Sequence, residues 1–209
     1  MVFRKKWALI AFGILLFSVL LFALKAPRLT PGKKLTAGDI SACLQDGDII
    51  CRLGNRFWSK HFKDISPVDK RFSHLGIIRI SDDRITVIHA EGRAVEGKDF
   101  VNEVDLDEFL EIALAAGIYR LNNYLNAYNG KISSAAEKYI GYPFDWNFDF
   151  EEKNKIYCSE LLYVVLKEIA PEIQLQTVYQ KEIKRELIPL EAVSHSEYFD
   201  EIAFVTLSN

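Results

Sequence analysis

The stretch Tyr157-Cys158-Ser159-Glu160-Leu161-Leu162 opens an apolar run that continues through Val164, Val165, Leu166 and Ile169 and stops at Pro171. Apolar residues at this spacing predict a buried or half-buried helix beginning at Cys158. A helix start presents unpaired backbone N–H groups and the positive end of the dipole, so the thiol is expected to shift toward a reactive thiolate. The competing reading is a small core residue, the commonest fate of a free cysteine. An aromatic and acidic loop, Tyr142 to Phe150, and a charged turn, Glu151 to Lys155, lead into the helix.

Two histidines upstream favour chemistry over packing. Phe72-Ser73-His74-Leu75-Gly76-Ile77-Ile78-Arg79-Ile80 reads as a strand, Ser81 to Arg84 as a hairpin turn, and Ile85-Thr86-Val87-Ile88-His89-Ala90 as the return strand. Such a turn pairs residues 74–80 with 89–85 and sets His74 and His89 side by side at the open end. A thiol nucleophile needs a base that takes its proton and later gives it to the leaving group. The base in turn needs a polar partner to hold its tautomer. Cys158 is therefore the candidate nucleophile, His74 the base and His89 the orienting residue. Glu91 competes with His89 for that last role, because residues i and i+2 of a strand share a face. Taken alone, each histidine reads equally well as a satisfied sheet residue.

Cys158, His74 and His89 could instead hold zinc. No C-x-x-C or H-x-x-x-H pair supports such a site, so neither a metal nor another cofactor is expected. His61 and His195 lie in polar surroundings and read as surface residues. Asp145 and Asp149 either meet a cationic group of the substrate or are solvated loop carboxylates. The aromatics of that loop, Tyr142 among them, together with Tyr157 and with Trp58 from the opposite side, are expected to line a substrate groove. Cys43 and Cys51 flank the Asp46-Gly47 turn. They form a disulfide if the domain is outside the cytoplasm, or are two small buried hydrophobes.

The chain has 209 residues, enough for one anchor and one ordinary domain. Arg4, Lys5 and Lys6 precede Trp7 to Leu24, which is 18 residues without a charge. This length suits a single membrane-spanning helix, with the basic cluster kept in the cytoplasm and the rest of the chain outside the inner membrane. Phe22-Ala23-Leu24-Lys25-Ala26 is a poor cleavage site, which favours an uncleaved anchor over residues 1–25. Residues 26–36, with two prolines and a glycine, read as a linker, and 37–209 as the folded domain. Beyond residue 25 the chain carries 22 basic and 29 acidic side chains, a net of −7. An acidic body argues against a nucleic-acid partner, which needs a basic face.

Further elements are expected as follows: a short helix over Asp39–Leu44, a strand over Ile49–Leu53, and a long loop or helix-loop over Gly54–Arg71. A helix over Leu106–Ala116 closed by Gly117 comes next, then a strand over Ile118–Leu121 and a helix over Lys131–Ile140 ended by Gly141. After the Cys158 helix, residues 172–198 read as irregular and Glu201–Leu207 as a closing strand. This is the pattern of an α+β domain with an antiparallel sheet packed on helices.

Asp46-Gly47-Asp48-Ile49-Ile50, Phe72-Ser73-His74-Leu75-Gly76-Ile77, Val87-Ile88-His89-Ala90, Tyr142-Pro143-Phe144-Asp145 and Tyr157-Cys158-Ser159-Glu160-Leu161 occur in that order. Together they resemble the YiiX/YebB-like permuted papain-fold proteins of the NlpC superfamily, from about residue 40 to the C-terminus. The resemblance implies a circularly permuted papain-like fold, in which the histidine strand precedes the cysteine helix. It implies a thiol amidase or peptidase with Cys158 as nucleophile and His74 as base. The third polar position falls on His89, where many YiiX-like members have Glu and the related lecithin retinol acyltransferase group has His. That leaves open whether the acyl group is a peptide or a lipid. The leading expectation is a membrane-anchored amidase acting on a cell-envelope peptide. The alternatives are a lipid-directed thiol acyltransferase or esterase on the same residues, and a non-catalytic binding module.

Overall fold

A computed structural model describes residues 34–82, 84–92, 99–149, 151–181 and 183–207. The expected anchor and most of the linker lie outside these residues, as does the side chain of Trp58. Among the described residues no helix is long and apolar enough to cross a membrane. Lys34–Asn209 makes one compact unit.

Its centre is an antiparallel sheet of six strands: β1 (Ile49–Gly54), β2 (His74–Ser81), β3 (Arg84–Glu91), β4 (Phe100–Asp105), β5 (Ala113–Leu121) and β8 (Phe199–Thr206). Their spatial order is β4-β3-β2-β1-β5-β8. Two further short strands, β6 (Val178–Gln180) and β7 (Arg185–Leu187), form a separate ribbon. Among the described residues the α-helices are α1 (Phe57–Lys63), α2 (Leu106–Leu110), α3 (Asn129–Glu137), α4 (Cys158–Ile169) and α5 (Glu191–Ser194).

Both faces of the sheet are covered, which is why β1 and β2 read as nearly continuous apolar runs rather than as alternating ones. Side chains alternate sides along a strand. Ile49, Cys51, Leu75, Ile77 and Ile88 therefore join the core made with Leu161, Leu162 and Val165 of α4. Ile50, Ile78 and Val87 join a second core with Phe109 and Leu110 of α2.

Several sequence expectations change here. The helix expected over Leu106–Ala116 stops at Leu110, and Ala113–Leu121 is one long strand between β1 and β8. Gly117 lies within that strand. A Cβ there would sit 2.6 Å from the Phe72 ring, so close packing selects the glycine and not a helix end. Residues 172–198, expected to be irregular, contain the β6–β7 ribbon and α5. In place of one helix over Asp39–Leu44 the chain makes two short 3-10 turns, Ala37–Asp39 and Ser41–Cys43. Cys43 and Cys51 are both free thiols. They belong to opposite sides of the sheet: Cys51 packs under α4, whereas Cys43 packs against the α2 core and donates to the Ile40 carbonyl at 3.0 Å.

Candidate active site

Helix α4 begins at Cys158. Its first turn is fastened from both sides. Glu160 reaches back to accept the Tyr157 N–H at 3.3 Å, as an N3 carboxylate does in a capping box. The Ser159 hydroxyl donates to the Ile188 carbonyl at 2.7 Å, and the Tyr157 hydroxyl accepts the Ile188 N–H at 3.1 Å. The residues flanking the cysteine thus hold the segment after β7 against the helix start.

The hairpin turns where expected, with Ile80 opposite Ile85. Ser81 pairs with Arg84 and Ile77 with Ile88, so the same register continued outward sets His74 across from Glu91. Arg52 of β1 pairs with His74 on its other side. Four polar side chains, Arg52, His74, His89 and Glu91, therefore gather at one end of the sheet. Gly76 makes room for them, since a Cβ there would approach the His89 Cβ to 3.1 Å.

His74 Nε2 lies 2.9 Å from His89 Nδ1. Glu91 Oε2 lies 3.3 Å from His89 Nδ1 and 3.7 Å from His74 Nε2. The same oxygen accepts from the Arg52 guanidinium at 2.8 Å. Arg52 also donates to the Phe109 carbonyl and lies 4.3 Å above the Phe109 ring. Both histidine rings pack on that phenylalanine, at 5.8 and 5.2 Å between centroids. Arg52 and Glu91 are buried, so their pairing avoids an otherwise heavy desolvation cost.

Burial dominates the electrostatics. It drives the His74 imidazole well below its usual range, against the pull of Glu91, so His74 is neutral at physiological pH. Burial also opposes ionisation of Glu91, yet the histidines and Arg52 outweigh it and hold the carboxyl well below the usual carboxylate range. The Cys158 thiol is pushed up to about 11, chiefly by burial. The Leu75 and Ser159 N–H groups favour the thiolate, as a helix start should, but do not overcome desolvation. The expectation of an acidic thiol is thereby corrected: burial holds the group as a thiol, in a cavity that the neutral His74 imidazole also lines.

Cys158, His74, Arg52 and Glu91 line one cavity of about 570 Å³. The thiol and the His74 ring face the same cavity. Tyr157 lines it too. Asp145 does not: it is fully buried and accepts the N–H groups of Asn147 and Asp149, folding its own loop. Tyr142 packs on Tyr139 with centroids 5.4 Å apart and is likewise outside the lining. The neighbours Phe144, Trp146 and Phe148 line the cavity instead. His61 of α1 is exposed, as expected, and also lines the cavity. Arg52 and Ser159 are the residues sequence reasoning missed. A lone arginine in the apolar run Ile49-Ile50-Cys51-Arg52-Leu53 was the available signal, because a buried cation requires a buried anion.

A family model described as the permuted papain-like amidase enzyme, YaeF/YiiX, C92 family, matches residues 43–191, a span that holds all of these side chains. Comparison with curated proteins gave no match. Among solved structures, the crystal structure of metalloprotein yiiX from Escherichia coli O157:H7 matches with a TM-score of 0.64 at 18% identity, covering 77% of this chain and 97% of that one. That likeness shows the shared fold.

Proposed function

Because this chain belongs to the permuted papain-like amidase family, we propose that it is a cysteine amidase whose nucleophile is Cys158 and whose base is His74. The observation that carries this reading is the cavity shared by the helix-start thiol and the neutral His74 ring, whose Nε2 is taken up by His89 at 2.9 Å.

In the tautomer that carries its proton on Nε2, toward His89, the other ring nitrogen of His74, Nδ1, is left to take the thiol proton. The sulfur then bonds to the amide carbonyl carbon. His74 passes the proton to the departing nitrogen as the C–N bond breaks, leaving a thioester. Water attacks the thioester, His74 takes its proton, and the C–S bond breaks to return the thiol and release the acid. The Cys158 backbone N–H at the helix start is one donor for the tetrahedral oxyanion. While His74 is protonated, the Glu91 carboxylate 3.7 Å away balances its charge. His89 orients the ring, and Glu91, held by Arg52, supplies the negative charge.

The solved neighbour is titled a metalloprotein. Here His74, His89 and Glu91 place three donor atoms within 4.8 Å of one another. The donor set does not suit a divalent cation, because Glu91 Oε2 already accepts from the buried guanidinium of Arg52, which would sit beside the ion. No step is assigned to a metal.

The apolar 7–24 segment with its basic flank supports action at the outer side of an inner membrane, on either a peptide or a lipid amide. Cys158→Ala is expected to abolish turnover of acyl amides while leaving the thermal transition in place. Full turnover by a folded Cys158→Ala protein would overturn the assignment.

A further inference from the structure

Helix α1 serves two neighbourhoods. Ser59, His61 and Phe62 line the catalytic cavity. Arg56, which precedes the first turn, lines a separate surface hollow together with Phe57, Lys60, Lys63 and Leu114. Lys60 lies four positions after Arg56 and three after Phe57, and Lys63 three after Lys60, so these residues share one side of the helix. No acidic residue interrupts the run from Arg56 to Lys63. The carboxylates near its two ends are taken by other lysines: Glu111 bonds Lys34 at 2.9 Å and Asp64 bonds Lys70 at 3.3 Å.

Among these cations Phe57 is 82% exposed, and Leu114 beside them 41%. Aromatic and apolar groups mixed with lysine and arginine match a bilayer interface, where rings sit at headgroup level and cations meet lipid phosphates. A nucleic acid would engage the cations and leave Phe57 and Leu114 in water.

The hollow also lies where the described chain begins. Lys34 bonds Glu111, and the carbonyl of the adjacent Ile112 accepts the Asn55 N–H at 2.9 Å, at the start of α1. Nine residues, 25–33, separate Lys34 from the apolar segment 7–24. A tether of that length reaches at most about 35 Å. The chain beyond residue 25 carries a net charge of −7, which an anionic surface repels, so the basic side is the one that turns toward it.

On the reading of residues 7–24 as a membrane anchor, we infer that the Arg56–Phe57–Lys60–Lys63 side of α1 docks on the surface of an anionic phospholipid bilayer. Phe57 enters the headgroup layer and the cations rest on lipid phosphates. Docking brings the catalytic cavity, walled by the same helix, next to that surface.

The full-length protein is reconstituted into phosphatidylcholine liposomes with or without phosphatidylglycerol, and amide hydrogen exchange is followed by mass spectrometry. Phosphatidylglycerol is expected to slow exchange across residues 55–63 at least about tenfold. Salt at about 1 M should remove that effect, an arm that needs no variant. Lys60→Gln/Lys63→Gln is expected to weaken docking about 25-fold, about fivefold for each cation removed. Equal exchange with and without phosphatidylglycerol, or an effect that the double variant leaves intact, overturns the inference. Equal slowing by a soluble oligonucleotide in phosphatidylcholine liposomes overturns it in favour of a polyanion. Alkaline carbonate washing tests the anchor separately. If it releases the protein, the anchor reading fails and docking is read by co-sedimentation of the same full chain with both liposomes. Salt-sensitive binding that requires phosphatidylglycerol then supports the surface, and its absence overturns it.

Discussion

Arg52 and Glu91 meet at 2.8 Å with their side chains 1% and 3% exposed, one strand apart from each other on either side of His74. Glu91, held by Arg52, is the anion that faces both histidines. Removing one partner of a buried ion pair leaves an uncompensated charge, a loss of about 3–5 kcal/mol. Arg52→Met is therefore expected to lower unfolding stability by about that amount. The double variant Arg52→Met/Glu91→Leu should lose much less than the sum of the singles. Denaturant titration of the four proteins measures this, and strict additivity would contradict the coupling.

His89 touches the base directly, at 2.9 Å, whereas Glu91 stands 3.7 Å from it. His89→Phe should therefore lower kcat more than Glu91→Gln does, with KM little changed in both. Loss of the base itself, in His74→Ala, should cost about 10²–10⁴-fold. Steady-state kinetics on one N-acyl amide gives all three values. A larger loss in Glu91→Gln than in His89→Phe would move the orienting role to the carboxylate.

The thiol is pushed up to about 11 by burial, so little thiolate exists at neutral pH. The second-order rate of Cys158 alkylation by iodoacetamide should keep rising through pH 9 and level off near about 11. A plateau below the ordinary thiol range of about 8.5 would show a preformed thiolate and reverse the order of proton transfer.

The same shifts set the acid limb of stability. His74 has a depressed folded pKa, so below its ordinary value the unfolded chain takes up a proton that the native state refuses. Its stabilising contribution is whole above that value and falls with pH beneath it. Glu91, also depressed, contributes in the same direction at lower pH, above the carboxylate range and lost as pH falls through it. Each group gives a slope of up to about 1.4 kcal/mol per pH unit in its window. Stability measured from pH 7 down to pH 4 should fall, and His74→Asn should flatten the upper part of that fall. A slope unchanged in His74→Asn would mean the ring is not held neutral by the fold.

The α4 helix, the histidine hairpin and the order of strand before helix were legible in the sequence because each rests on local periodicity. The chemistry that a thiol requires pointed to Cys158, His74 and His89, with Glu91 as the competing orienting residue, and the structure brings Cys158, His74 and Glu91 to one cavity. The turn at Ser81 to Arg84 was legible too, and counting outward from it sets Glu91 rather than His89 across from His74. Local pattern could not separate the Asp145 carboxylate, turned into its own loop, from its neighbours Phe144 and Trp146, which face the cavity. Ala113 to Gly117 looked helical because alanines favour helices, yet strands on both sides hold the segment extended. The thiol pKa failed for a different reason: a helix start favours the anion only as far as desolvation allows, and the depth of the site is a property of the whole fold.

The central claim, that Cys158 is acylated with His74 as its base, is tested most directly by mass spectrometry of the peptide carrying Cys158, taken from protein quenched during turnover of an N-acyl amide. The account predicts a mass gain equal to the acyl group on Cys158, formed about 10²–10⁴-fold more slowly in His74→Ala and absent from Cys158→Ala. Sustained turnover with Cys158 unmodified, or acylation that proceeds at full rate without His74, would contradict it.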